Sequence, residues 1–300
     1  MATLLSTGLS LPKSVTNRVF PKIQYGSTIA ALGNPEPMLF GDTEYFHFDI
    51  GEAEYVGEGA NKSGSTATKT TVTVKPYKFQ KTVRYSQEVM WADEDYQLGI
   101  LNNFADAITP ALARALDYGV FHGINPLDGA LVAAMTTNGK LSQTTNSVEI
   151  APGDKPYANI DAAKALVLAD GYIPSDIALD PSFAALFTSL RNATTEQKLY
   201  PDFQLGTAPS NLDGTRASTS KTVGAIGVAA AATTIQAIVG DFSKVVWGVQ
   251  RRIGLEVIQY GDPDGGGDLK RNNQIALRSE ILYGWAIADK DAFAKIIDAV

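Results

Sequence analysis

From Gly51 to Tyr85 the chain reads GEAEYVGEGANKSGSTATKTTVTVKPYKFQKTVRY, a stretch that few folds can absorb. Two strand-like runs flank a tip of Gly, Ala, Asn, Ser and Thr. The outgoing run is acidic, with Glu52, Glu54 and Glu58. The returning run carries Lys62, Lys69, Lys75, Lys78, Lys81 and Arg84 and no acid. A hairpin this polar has little apolar surface to bury against its own domain, and two strands alone are marginal in water. Something else must order it, and another copy of the chain is the obvious candidate.

The rest of the chain is long enough to build a core. Its 300 residues, 45% hydrophobic and 19% charged, fit one large globular domain or two ordinary ones. A formal charge of −7 gives no general attraction to nucleic acid. The absence of Cys excludes disulfides, thiolate metal sites and a Cys nucleophile, and fits a reducing compartment. The N-terminal MATLLSTGLSLPKSV lacks the basic start of a secretion signal. No run approaches the roughly 20 apolar residues of a membrane helix. The expectation is a soluble protein, cytoplasmic at synthesis.

Taken in order, residues 1–40 hold no persistent period, are broken by Pro12, Pro21, Pro35 and Pro37, and suggest an extended arm. Tyr45–Ile50 alternates and predicts a strand. Lys78–Tyr85 alternates with period two, and Ser86 caps a short helix to Trp91. A long helix follows, begun by Asp93, Glu94 or Asp95. Its stripe of Leu98, Leu101, Phe104, Ala105, Ile108, Leu112, Ala115 and Leu116 persists to Phe121, with Pro110 predicting a kink and Gly123 a stop. Residues 124–157 are loop-rich. Helices are expected at 159–169 and, capped by Asp180, from Pro181 to Arg191; strands at 176–179, 224–228, 235–239, 245–249, 254–259, 273–288 and 293–297; and loops at 200–222 and 261–268. This mixture predicts an α+β or α/β subdomain.

Catalytic patterns are scarce. His47 and His122 are the chain's two histidines, and neither has an acid–nucleophile pattern beside it. There is no GxSxG and no P-loop, and Gly265–Gly267 does not precede a helix. Asp262, Asp264 and Asp268 hint at calcium, but the spacing departs from an EF-hand loop and a solvated turn is the simpler reading. No cofactor, metal or catalytic residue is expected.

Charge order says more. From Glu36 to Glu58 every charge is acidic; Lys62 to Arg84 are basic; Glu88, Asp93, Glu94, Asp95 and Asp106 are acidic again. Blocks alternating in sign invite pairing between copies. Glu52, Glu54, Glu58, the five lysines, Arg84, Glu88, Asp93, Glu94 and Asp95 are therefore the expected inter-subunit contacts, with the basic run facing Glu88 and Asp93–Asp95 of a neighbour.

Read together, AEYVGEGANKSGS, VKPYKFQKTVRYSQEVMWAD, LARALDYGVFHGINP, ADGYIPSDIALDPSFAALFTSL, VGDFSKVVWGVQRRIGLEV and RNNQIALRSEILYGWAIADKDAFAKI follow an order that resembles the major capsid proteins of tailed bacteriophages, the Hong Kong 97 type. The likeness spans nearly the whole chain. It implies an α+β fold with an N-terminal arm (1–50), an extended β-hairpin loop (51–85), a peripheral domain with a long spine helix (86–157), an axial α/β domain (158–250) and returning peripheral strands (251–300). It further implies hexamers and pentamers of an icosahedral shell around double-stranded DNA held without sequence-specific binding. The expected partners are a separate scaffolding protein, a portal and a decoration protein; the expected location is the virion, assembled in the bacterial host cytoplasm, with no membrane. Lys62 and Lys69 lie near the loop position that some members cross-link covalently, but the matching residues are lacking and cross-linking is not expected. An encapsulin-like compartment is the alternative, followed by a hydrolase or carbohydrate-binding module.

Overall fold

The computed structural model describes residues 26–298 apart from 65, 92, 93 and 138. Most of the arm, 1–25, therefore lies outside the described residues. After it come a five-residue helix α1 (Thr28–Leu32) and a two-residue strand β1 (Asn34–Pro35). Strands β2 (Thr43–Asp49) and β3 (Thr68–Val74) form a two-stranded antiparallel hairpin. Strand β4 (Pro76–Ser86) leads through a 3-10 turn, Gln87–Trp91, into the long helix α2 (Glu94–His122). Then follow α3 (Ala133–Thr137), β5 (Ser147–Ile150), α4 (Pro156–Ala169), β6 (Asp176–Leu179), α5 (Pro181–Ser189), β7 (Ser210–Leu212), β8 (Thr215–Thr219) and β9 (Ile235–Gly240). Two 14-residue strands, β10 (Val245–Ile258) and β11 (Gln274–Ile287), precede β12 (Phe293–Asp298).

Two larger sheets organise the body. One has the order β1-β10-β11-β4, the other β5-β12-β9-β6-β8-β7. In the first, period two decides everything. On β11, Ile281, Tyr283, Trp285 and Ile287 all point into the same core, and Tyr77 and Phe79 of β4 join them. Helix α2 lies over this face with Ile108, Leu112, Leu116 and Phe121. Its closest approach is at Gly119, where a Cβ would come within 2.6 Å of the Trp285 indole. A side chain at 119 would push the helix off the sheet. In the second sheet, Ile238 of β9 faces this same core while Ala237 and Val239 face another, formed with α4 and α5. β9 is thus buried on both faces, as its apolar run requires.

The long helix runs through Pro110 without ending there and stops at His122, with Gly123 at φ +65. Asp180 caps α5 by accepting from the Ser182 N–H, and Pro181 occupies the first turn. Four expectations need correction. Residues 26–40 are not wholly irregular: Ser27 caps α1, whose single turn is too short to show a period. The strand expected at 224–228 is a series of turns, because Ala225 and Gly227 take φ near +50 and +77. The strands expected at 245–249 and 254–259 are one strand; Gly254 lies in a bulged stretch, between Ile253 and Glu256, where the register with β11 shifts. β7 and β8 also lie inside the expected 200–222 loop.

A buried carboxylate fastens the start of the described chain to α2. Asp117 is fully buried and accepts from Ser27 Oγ (2.5 Å), the backbone N–H groups of Thr28 (2.8 Å) and Ile29 (3.0 Å), and Thr222 Oγ1 (2.5 Å). Burial raises its carboxyl to about 6, against the pull of these donors. One turn and a half along, His122 places Nε2 at 3.1 and 2.9 Å from the carbonyl oxygens of Thr222 and Val223. Two carbonyls can only accept, so Nε2 carries the proton. Burial pushes the imidazole down to about 4. Two buried groups on one helix therefore clamp the same loop.

Their pH responses oppose. Asp117 is raised, so its contribution is present below its ordinary value and is lost as pH rises through about 6. His122 is depressed, so its contribution is present above about 6.5 and is lost as pH falls through about 4. On going from pH 7 to pH 5, the His122→Gln subunit is expected to gain about 2 kcal/mol relative to the unmodified chain, since it no longer buries a group that must be held neutral. Denaturant midpoints at the two pH values check this. Asp117→Ala strands four donors and is expected to cost roughly 3 kcal/mol, read as faster amide exchange at Thr28 and Ile29.

Candidate assembly interface

The hairpin lies one strand earlier than its sequence suggests. Its outgoing strand is β2, before Gly51, and pairs with β3 from Thr43↔Val74 to Asp49↔Thr68. Gly51–Ala67 forms no strand among its described residues and is bent at Glu58–Gly59. The returning run is split: β3 belongs to the hairpin, whereas β4 is an edge strand of the four-stranded sheet. The root of the hairpin is not left alone. Tyr45 and Val72 pack on Met38, Val74 and Ala286, beside the first sheet.

Period two then turns the other face of β2 outward. Phe46, Phe48 and Ile50 lie on it and are 53%, 56% and 63% exposed. Lys69 sits over the Phe46 ring at 3.7 Å from its centroid. Leu39 and Phe40 before the hairpin, and Tyr55 in the loop, are more exposed still, Tyr55 at 92%. Scattered surface apolar residues are ordinary; an aligned aromatic row is not. The sequence carried this signal in the alternation of Tyr45–Ile50, but charge alone was read as the contact surface.

The expected contact residues divide into three groups. Glu52, Glu54, Glu58, Lys62, Lys69, Lys75, Lys81 and Glu88 are exposed. Glu54 reaches across the loop to accept from Ser63. Among the described residues no ion pair joins the loop's acids to its lysines. Asp93 lies outside the described residues, and of Glu94 and Asp95 only the backbone, in the first turn of α2, is described. Lys78 and Arg84 are used within the chain. Lys78 pairs with Glu280 at 2.7 Å.

Arg84 corrects the expectation most clearly. It does not face a neighbour: its side chain is only 5% exposed. Nε donates to Asp264 Oδ1 (2.6 Å), one terminal nitrogen meets Asp262 Oδ1 (2.7 Å) as well as Asp264, and the other donates to the Gly267 carbonyl (2.8 Å) and Gln274 Oε1 (3.2 Å). The physical reason is a loop roughly 180 residues downstream that folds over the outer face of β4. Gly265 and Gly267 take φ +75 and +97, and a Cβ on Gly266 would come within 2.9 Å of the guanidinium carbon. The glycine triplet is therefore the shape of an arginine clamp, not of a phosphate cradle. The Arg84 hydrogen bond holds the Asp264 carboxyl below its ordinary range, and Arg84 is raised in turn. Asp262 is drawn down by the Gly267 N–H and Arg84 against its own desolvation.

Two of the three acids that hinted at calcium, Asp262 and Asp264, are thus occupied by a cation of the chain itself, and Asp268 accepts from the Arg271 backbone N–H (2.8 Å). Among the described residues no cluster of three or more His, Asp or Glu could hold a metal. His122 is spent on two carbonyls. The side chain of His47 lies outside what the structure describes. Among the described residues no helix is long and apolar enough to cross a membrane.

Comparison with known proteins places the chain among capsid proteins. The model of the "Phage capsid family" matches residues 7–297. The chain is similar to a solved structure from Mycobacterium phage Ogopogo, with 44% identity and a TM-score of 0.83, covering 99% of this chain and 100% of that one. It is 22% identical over 294 residues to the "Probable major capsid protein gp17" of Mycobacterium phage D29, covering 96% of this chain and 85% of that protein. It is 22% identical over 307 residues to the "Major capsid protein" of Staphylococcus phage 80alpha, covering 97% and 85%. The cargo-compartment alternative gains no support.

Replacing Arg84 by Ala leaves Asp264 buried without its cation, and is expected to cost about 3–5 kcal/mol. The loss should appear locally, as rapid proteolysis between Gly261 and Asp268, while Lys81→Ala leaves that loop protected.

Proposed function

As the chain belongs to the phage capsid family and is a major capsid protein, we propose that its copies close into an icosahedral shell of hexamers and pentamers around the double-stranded DNA of a tailed phage. The observation that carries this reading is the outward row of Phe46, Phe48 and Ile50, continued by an extended loop whose Tyr55 touches almost nothing of its own chain. Such a surface is soluble only at a cost, and burying it against the next subunit recovers about 25 cal/mol per Å² of apolar area. The domains follow the elements: an arm to about residue 50, the loop, a peripheral region of α2 with the four-stranded sheet, and an axial region built on the six-stranded sheet.

Charge supplies register rather than strength. With Lys78 and Arg84 engaged internally, Lys62, Lys69 and Lys75 are the bases that meet Glu88 and Asp93–Asp95 of the neighbour. DNA is enclosed, not gripped, by an acidic subunit. A separate scaffolding protein sets the diameter, a portal occupies one vertex, and a decoration protein binds outside. The shell assembles in the bacterial cytoplasm and ends in the virion. Its work is mechanical, and no catalytic step is assigned to it.

Reversing Lys62, Lys69 and Lys75 to Glu is expected to lower particle yield about tenfold, three exposed pairs of about 0.5 kcal/mol each, with the deficit shrinking at high salt. Normal particles at both low and high salt would sink the electrostatic part. Phe46→Ser with Phe48→Ser is expected to leave a folded subunit that sediments without forming shells.

A further inference from the structure

Away from the hairpin, where the end of α2 meets β9 and β12, the subunit holds a cavity of about 510 Å³. That is within the size range of sites that enclose a small organic molecule. One wall is the irregular segment Ala229–Ala232, whose side chains are methyl groups. It is held by the turn that contains Gly129 (φ +69), where a Cβ would run into the Val228 carbonyl oxygen. The Ala230 N–H donates to the Gly129 carbonyl (2.9 Å), so glycine at 129 lets the two segments close side by side. Leu131, 64% exposed, also lines the cavity. The sheet side is formed by Ile235 and its cross-strand partner Ile297.

The charges on this apolar cavity have one sign. Lys295 stands two residues before Ile297 on β12 and faces the same side. Its Nζ donates to the Ser142 carbonyl (3.1 Å), which brings it to the turn that carries Lys140. The Lys140 side chain has no ion pair and no hydrogen bond among the described residues. Burial holds its ammonium below the ordinary lysine range. The lining includes no acid. Glu149, opposite Ile297 across the β5–β12 pair, is exposed and makes no ion pair with either lysine. A partly desolvated cation without a counter-charge is costly, and an anion that enters beside it relieves that cost.

We infer that this cavity binds an aliphatic carboxylate, its head group meeting Lys140 and Lys295 and its hydrocarbon chain lying along Ala229–Ala232 and Leu131. A carboxylate accepts from two ammonium groups at once, in short charge-assisted hydrogen bonds. The chain needs only apolar surface to leave water for, which the alanines and isoleucines supply. The site is complete within one subunit and goes beyond the shell reading. Its walls come from the region after α2 and from the six-stranded sheet, so an occupant ties the two together and stabilises the fold by mass action.

Calorimetric titration of the purified full chain at pH 7 with sodium octanoate tests this, with acetate and octanol as comparators. Octanoate is expected to bind once per chain and to raise the thermal midpoint. Acetate, which lacks the chain, is expected not to bind, and octanol, which lacks the charge, to bind at least about tenfold more weakly. Lys140→Met is expected to weaken octanoate at least about tenfold, while Lys198→Met, at an exposed lysine elsewhere, leaves it unchanged. Should Lys140→Met fail to fold, a photoreactive diazirine analogue of octanoate is applied to the unmodified chain and located by mass spectrometry, with label expected within 122–131 or 229–235. Octanol binding as tightly as octanoate, or label gathered on the exposed Phe46–Ile50 row, means unspecific apolar adhesion and overturns the site. Octanoate that does not bind overturns it as well.

Discussion

The contact between Gly119 and the indole of Trp285 fixes the body of this subunit. It sets the distance between α2 and the four-stranded sheet, and the sheet is what holds everything else in place. Tyr77 packs tilted against the same indole at 4.2 Å between ring centroids, so β4 is positioned from within by the residue that positions the helix. Once α2 and β4 are set, two further features follow. Asp117, two residues before Gly119, meets the start of α1. His122, three residues after it, meets the Thr222–Val223 turn. A methyl group at 119 would therefore disturb both anchors by displacing the helix that carries them.

Much of the body was legible from the chain. The stripe on α2 from Ile108 to Leu116, the Asp180 cap before Pro181, the buried run 176–179 and the alternation at the start of β4 each correspond to a local rule, and each appears where that rule places it. What failed depended on partners distant in sequence. Alternation along β4 puts Arg84 on the face away from α2, which is right, and that face is solvent-exposed in most of the strand. At its end the 261–268 loop covers it, and no periodicity within β4 can announce a loop 180 residues away. The same loop was read as solvated because glycine and aspartate usually mean turns; here they mean close approach to a guanidinium.

The charges of the hairpin are legible in the sequence; the outward face of its apolar residues is less so. The hairpin looked too polar to fold because its boundaries were drawn at Gly51, which left Phe46, Phe48 and Ile50 outside it. With β2 restored, the hairpin has one face packed on its own domain through Tyr45 and Val72 and one exposed apolar face, on which Lys69 covers the Phe46 ring. In the proposed shell a contact between copies through this face is apolar in substance, with the alternating charges selecting direction and register. Family membership makes a shell the natural destination for such a face, and the hairpin's geometry explains why the monomer is an incomplete object.

Lys75 is the one residue between β3 and β4, and this has a mechanical consequence. A load applied to the loop by a neighbour passes through that residue into β4, which pairs with β11 in an unbroken register from Pro76↔Gly284 to Ser86↔Gln274. Tension along the strand stresses that ladder in shear, with many hydrogen bonds sharing it at once, whereas a pull across the strand would open them one after another. The Arg84 clamp sits near the far end, pinning the strand to the loop above it. A pull on the loop along β4 is therefore borne in the direction in which a β-ladder is stiffest, and the strand behaves as a tie-bar.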